Sequence, residues 1–197
     1  MARIPFPELD ELDPAEAARI RETETKMGFV PANGLLFARV PGLAPAMVGL
    51  SRAVLVPGRV GMELKWLVGH VSSRVAGCRF CWAHTAHNAV HQNGADPARF
   101  EAVWAFETSE LFDDRERAAL RLATAAGAVP NGVTDAHFDD LRQYFDDDEI
   151  LELVAVIAMF GFMNRWNDTL SVPLEEPPLR FGETHLRASG WTPGRHG

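Results

Sequence analysis

Apolar residues recur along this chain at intervals of three and four, the period of an amphipathic helix, and no segment alternates convincingly with the period of two that a strand needs. Asp13 followed by Pro14 reads as an N-cap and a first helical residue, and Gly28 reads as a stop, so a first helix is predicted over residues 13–27. The stretch Gly28-Phe-Val-Pro-Ala-Asn then reads as a turn into a short segment ending before Pro41. Leu43 to Val54 is a second amphipathic helix, closed by Val56-Pro57-Gly58. Over Met62 to Val75, Leu64, Val68, Val71 and Val75 make an apolar stripe, and Gly77 interrupts it. A helix from about Cys78 to Gln92 follows and stops at Asn93-Gly94. Shorter helices are predicted over residues 97–106, 114–126 and 135–144. The strongest element runs from Asp147 to Asn167, and its nearly all-apolar centre, Leu151 to Phe162, requires burial. The acidic runs Asp113-Asp114 and Asp146 to Asp148 read as N-caps of the helices after them.

The pattern predicts an all-α fold, with residues 1–175 as a single helical domain. Beyond Pro173 the Pro- and Gly-rich composition predicts an irregular tail over residues 176–197 that packs on a neighbour or frays. Val60 to Val71 and Asp147 to Ala158 echo one another as Leu/Val-rich helical openings. Duplication of a helical pair and chance explain the echo equally well.

At 197 residues the chain is one domain or two tightly fused halves, and buries a substantial core without staples. With 47% hydrophobic and 23% charged residues it has the composition of a soluble globular protein. A net charge of −8 argues against nucleic acid or an anionic membrane as the main partner. No run of apolar residues is long enough to span a bilayer, and Met1 to Asp13 lacks the apolar region of a signal peptide. The expected location is the cytoplasm.

The chain has two cysteines, and they lie three apart in Gly77-Cys78-Arg79-Phe80-Cys81-Trp82-Ala83-His84. Such a pair in the first turn of a helix can close a reversible disulfide, and the exposed N–H groups and dipole of the helix start lower the thiol pKa. His84 stands one turn on, placed to take a thiol proton. Zinc is the first competitor, since Cys78, Cys81, His84 and His87 are all potential ligands. Each step of three residues turns by about 60°, so the four side chains spread around a helix instead of converging on one ion. Covalent haem needs a histidine directly after the second cysteine, where this chain has Trp82. A thioredoxin-like reading needs a strand before the pair, where a helix and Gly77 stand. Two inert cysteines on a core helix are the plain alternative to thiol redox chemistry.

Glu63 and His70, seven apart, share a helix face to within about 20° and could orient one another. His70 is read as lining a pocket or as a satisfied core histidine. His87 and His91 read as part of an exposed polar face. Phe80 and Trp82 read as core or interface, and Arg165 as the partner of an acid.

With these residues in view, Gly77-Cys-Arg-Phe-Cys-Trp-Ala-His-Thr-Ala-His87, the following Gly94-Ala-Asp, Phe112-Asp-Asp-Arg-Glu-Arg-Ala-Ala-Leu120, Phe145-Asp-Asp-Asp-Glu-Ile150 and Asn164-Arg-Trp166 resemble the carboxymuconolactone decarboxylase / alkylhydroperoxidase D superfamily. More narrowly, the chain resembles its two-cysteine, peroxidase-related members over roughly residues 28–175. The resemblance implies an all-helical homo-oligomer with the cysteine pair at the start of a helix in a small pocket; no cofactor and no metal are expected. Its substrate would be a hydroperoxide and its electron source a dithiol reductant. Cys81 is then similar to the attacking thiol, Cys78 to the resolving thiol and His84 to the relay base, with Trp66, His70 and Trp82 around the pocket. The sequence departs from the family pattern at two places. The family histidine position, four after the second cysteine, holds Thr85. The family glutamate position, about twelve before the first cysteine, holds Trp66, which leaves Glu63 as the nearest carboxylate. A decarboxylase-type lyase using His/Glu proton transfer and a non-catalytic redox-responsive oligomer are the competing functions.

Overall fold

Helix boundaries set by local chemistry stand where the sequence places them. In the computed structural model, which describes residues 2–197, the Asp13 carboxylate accepts the Ala15 N–H and α1 spans Pro14–Met27. Next come α2 (Ala32–Ala38) and α3 (Leu43–Val54), then α4 (Met62–Val75) and α5 (Arg79–Asn93). They are followed by α6 (Pro97–Ala102), extended by a 3-10 turn, α7 (Asp114–Gly127), α8 (Asp135–Leu141) and α9 (Asp147–Leu170). Asp113 and Asp146 complete reciprocal capping boxes with Glu116 and Glu149. Among the described residues there is no strand, and no helix is long and apolar enough to cross a membrane. The fold is all-α.

Helix α4 is the centre of the fold, packed against α5, α7 and α9. Every residue from Leu64 to Ser73 is buried, so α4 is enclosed on all sides and its apolar stripe is only part of its buried surface. Lys65 is 2% exposed; its Nζ donates to the carbonyls of Val54 and Val56, both at 3.1 Å, and pairs with Glu152 at 2.8 Å. A buried ammonium needs such a complete set of partners. Glu152 also accepts the N–H groups of Arg59 and Val60, tying the loop before α4 to α9.

The segment after Pro173 is ordered and helical, contrary to the irregular tail expected. It forms α10 (Glu176–Phe181), with a proline in its first turn, and continues through π and 3-10 turns over Gly182–Leu186, Arg187–Ser189 and Gly194–His196. Leu186, Trp191 and His196 are each no more than 1% exposed. The Trp191 indole N–H donates to the Arg79 carbonyl, and the His196 ring bonds the Val172 carbonyl. The segment is ordered by partners distant in sequence, which its own composition does not reveal. The suggested repeat meets a difference as well: α9 runs unbroken, so the interruption at Gly77 has no counterpart there.

The α4–α7 contact depends on the absence of a side chain at Gly127. A Cβ there would stand 2.9 Å from Ser72 Cα and 3.1 Å from its carbonyl oxygen, and backbone atoms inside a helix cannot yield. Gly127→Ala should therefore cost about 1–3 kcal/mol, read as a lower urea midpoint. An unchanged midpoint would contradict this packing.

Candidate active site

The site begins where α4 stops. Gly77 takes φ +77, a left-handed conformation that glycine adopts without penalty. The Cys78 N–H reaches back to the Ser73 carbonyl at 3.1 Å and the Gly77 N–H to the Arg74 carbonyl at 2.9 Å, a Schellman closure. The chain leaves this turn extended at Cys78, which becomes the N-cap of α5, and its sulfur accepts the Cys81 N–H at 3.3 Å. A thiol thus occupies the position usually held by Ser, Thr, Asp or Asn.

Both cysteines are free, with Cys78 0% and Cys81 3% exposed. Of the two, only Cys81 lines the open cavity of about 580 Å³ between α1, α2, α3, α4, α5 and α9. The cavity wall is largely apolar and rich in methionine, with Met27, Met47, Met62, Met159 and Met163 joined by Phe160 and the expected pocket residue Trp66. The indole N–H of Trp66 has no partner. Asn167, 0% exposed and also on the cavity wall, donates from Nδ2 to Cys81 Sγ at 3.2 Å. Burial pushes the Cys81 thiol up, the Cys78 sulfur adds to the rise, and the Asn167 amide partly opposes it. This is the reverse of the lowered pKa expected from a helix start alone. The helix end acts on Cys81, but dehydration outweighs it.

His84 also faces the cavity. Its ring stacks on Phe80 with centroids 4.2 Å apart and meets the edge of Phe29 at 6.0 Å. Its Nε2 lies 2.7 Å from Oε2 of Glu175, whose Oε1 accepts the Ala32 N–H at 2.7 Å. Burial alone would raise the Glu175 pKa, but the His84 ring and the backbone donors hold it below the ordinary carboxylate value. The sequence reading missed Glu175, which lies 91 positions from His84. Ser171, at φ 51, ends α9 and redirects the chain so that Glu175 returns to the site as the N-cap of α10. The signal was an acidic residue just ahead of Pro177-Pro178, readable as a helix start but not as a partner for His84. Asn167 was likewise included in a helix without being singled out.

Five sequence-based placements are corrected. Glu63 does not enter the site: its carboxylate pairs with Arg99 at 2.8 Å and remains 41% exposed. Nor does Glu63 orient His70, which turns inward. Trp82 Nε1–H donates to His70 Nε2, His70 Nδ1–H faces Thr85 Oγ1, and Thr85 donates to the Trp82 carbonyl, each at 3.0 Å. With both nitrogens satisfied, His70 is a core histidine and is absent from the cavity wall, as is Trp82. Trp82 instead presents its ring to the Arg74 guanidinium at 4.7 Å. His87 differs from expectation too, being 7% exposed with a pKa lowered to about 4, chiefly by burial. Arg165 donates to the Gly161 carbonyl instead of pairing with an acid. Among the described residues, no three His, Cys, Asp or Glu side chains gather as a metal site.

His70 carries a pH prediction. Burial, then the nearby Arg74 cation, holds its pKa at about 3 in the folded protein, against 6.5 for a free ring. Above pH 6.5 the shift costs nothing; as pH falls toward 3, the unfolded chain binds a proton that the folded chain refuses, and stability declines. His70→Gln should be less stable at pH 7, yet lose roughly 2 kcal/mol less than wild type on moving to pH ~4.5 in urea titrations. Equal losses in both proteins would contradict the closed network.

Comparison with known proteins bears on the family and the fold. Residues 41–125 match the carboxymuconolactone decarboxylase family. The debrominase Bmp8 superposes with a TM-score of 0.81 and 32% identity over 91% of this chain and 95% of that one. A peroxidase-related protein from Ralstonia eutropha, described as an alkylhydroperoxidase AhpD core, gives a TM-score of 0.79 at 24% identity over 90% of this chain and 94% of that one, a likeness of fold. The uncharacterized protein YnjA of Escherichia coli is 33% identical over 108 residues, which is 53% of this chain and 59% of that protein. The chain thus spans about three fifths of the length of the curated relatives it matches, 59% and 63%. A family match centred on the cysteine helix and a likeness to Bmp8 over 95% of that chain agree, and the chain belongs to the carboxymuconolactone decarboxylase family, with a fold that superposes on AhpD-like proteins.

Proposed function

We propose that the protein is a thiol-dependent oxidoreductase that reduces an organic hydroperoxide, with Cys81 as the attacking sulfur and Cys78 as the resolving one. The observation that carries this reading is the division of the pair: Cys81 lines the cavity, while Cys78 lies off it as the cap of the same helix. A cavity of about 580 Å³ with an apolar wall suits an organic molecule better than hydrogen peroxide.

Burial disfavours the Cys81 thiolate, so the thiol needs a base. His84 donates its Nε2–H to the Glu175 carboxylate, which leaves Nδ1 with a lone pair to take the proton, and Glu175 stabilises the imidazolium that results. The thiolate attacks the terminal oxygen of the hydroperoxide, the O–O bond breaks, and the alkoxide takes the proton from His84 and leaves as the alcohol. Cys81 is now a sulfenic acid. The Cys78 thiol attacks it, a disulfide forms and water leaves. An external dithiol returns the pair to the reduced state by exchange.

A second reading is favoured by the likeness to Bmp8, solved also as a cysteine-to-alanine variant in complex with 2,3,4-tribromopyrrole. In reductive debromination the Cys81 sulfur would attack bromine, the ring carbon would take a proton, and Cys78 would displace bromide to give the same disulfide. A lyase reading leaves both cysteines unused. Assembly as a homo-oligomer belongs to the proposal and is supported by Leu151, Val154 and Phe162, exposed along one face of α9.

With cumene hydroperoxide and a dithiol reductant, Cys81→Ser should consume no peroxide. Cys78→Ser should react once and stop at a sulfenic acid that dimedone labels on Cys81. His84→Ala and Glu175→Gln should each slow turnover, His84→Ala by roughly 10²-fold, with partial recovery as pH rises. Dimedone labelling of Cys78 in Cys81→Ser, with none on Cys81 in the reverse variant, would overturn the assignment. Bromide release from tribromopyrrole without peroxide consumption would favour the second reading.

A further inference from the structure

Asn167 has two ends, and the protein satisfies one of them. The side chain is 0% exposed, on the last turns of α9, and its backbone carbonyl accepts the Val172 N–H where the chain turns at Ser171. Its Nδ2 donates to Cys81 Sγ at 3.2 Å. Once deprotonated for attack, the Cys81 sulfur can only accept, and the amide then presents its nitrogen to the sulfur and its oxygen elsewhere. That oxygen, Oδ1, is buried and without a partner. A buried carbonyl is rarely left unpaired in a folded protein, because burial removes its water without replacing it. Asn167 lies on the wall of the cavity that Cys81 and His84 share, so the missing partner belongs to whatever occupies that cavity.

We propose that Asn167 is a two-ended positioning residue, its Nδ2 holding the Cys81 sulfur and its Oδ1 accepting a hydrogen bond from the substrate. The site therefore selects an apolar molecule that carries an O–H or N–H donor at or beside the atom the sulfur attacks. This deepens the hydroperoxide reading and rests on it for the identity of the attacked atom. A hydroperoxide carries its O–H on the oxygen under attack, whereas a dialkyl peroxide has no donor there. One amide then sets both partners of the reaction: it fixes the sulfur's direction and holds the electrophilic atom within reach, the near-attack arrangement that proximity catalysis needs.

Two measurements on the full-length chain test the two ends without requiring turnover. The sulfur end is read from the pH dependence of Cys81 alkylation by iodoacetamide, in a Cys78→Ser background. Asn167→Leu and Asn167→Asp should both move the alkylation midpoint to higher pH, since neither has the donor. An unmoved midpoint in both overturns that end. The oxygen end is read by calorimetry with two inert probes, 2-phenylpropan-2-ol and its methyl ether. The alcohol should bind wild type about fivefold or more tightly than the ether, Asn167→Asp should keep the preference, and Asn167→Leu should bind the two alike. Equal binding by wild type, a preference that survives in Asn167→Leu, or binding of neither probe overturns that end. Near-identical circular dichroism and urea midpoints of the variants show that folding is not the variable. If wild type consumes no cumene hydroperoxide while the alcohol preference and the midpoint shift both appear, the hydroperoxide reading fails and the role of Asn167 stands.

Discussion

The site rests on a single backbone amide, that of Cys81, donating to the sulfur three residues before it. A helix needs its first N–H groups satisfied, and here a cysteine supplies the acceptor. The cap fixes Cys78 at the start of α5 and Cys81 one turn inside it, with the two sulfurs associated by the geometry of the cap. Gly77 makes this possible, because the α4 closure and the α5 cap meet without a spacer only if the intervening residue takes φ near +77. Everything else in the site is brought to this turn: α9 delivers Asn167, α10 delivers Glu175, and α1 to α3 form the outer wall of the cavity.

Burial then decides what chemistry the pair can do. An exposed cysteine at a helix start would be held as a thiolate, reactive toward any passing oxidant. Inside this cavity the same sulfur is dehydrated, and its thiol is favoured. A sulfur in this setting is reactive only with a base in place and a substrate that fits, which gives selectivity a physical source. In the proposed function His84 and Glu175 supply that base; in the structure the ring and the Ala32 N–H hold the Glu175 carboxylate in its ionised form. Where the superfamily pattern puts a glutamate on the helix before the cysteines, this chain has Trp66, which forms part of the cavity wall, and the carboxylate beside His84 is that of Glu175.

What was legible in the sequence follows the range of the interactions. Asp13, Gly28, Asp113 and Asp146 act within four residues of themselves, and the helix ends they mark match the structure. Cys78, Cys81 and His84 lie within two turns of one helix, so their spacing placed them together. Glu175, Asn167 and Trp191 act across 91, 86 and 112 positions, and no periodicity carries that information. The tail illustrates the point: its prolines and glycines read as an irregular segment, yet its helical turns are held by Trp191 and His196 buried against other elements. Glu63 and His70 show the converse error. They do share a helix face by spacing, but α4 is enclosed on every side, and each finds a different partner there.

The central claim is that Cys78 and Cys81 form one two-electron couple whose Cys81 sulfur faces an organic-substrate cavity. Its most direct test is the mass of the reduced wild-type protein after one equivalent of cumene hydroperoxide under anaerobic conditions. The account predicts the loss of two hydrogens within the peptide that contains both cysteines, in a monomeric chain, fully reversed by dithiothreitol. Two intact thiols, disulfides only between chains, or oxidation of one cysteine to the sulfonic acid with the other still a thiol would contradict it.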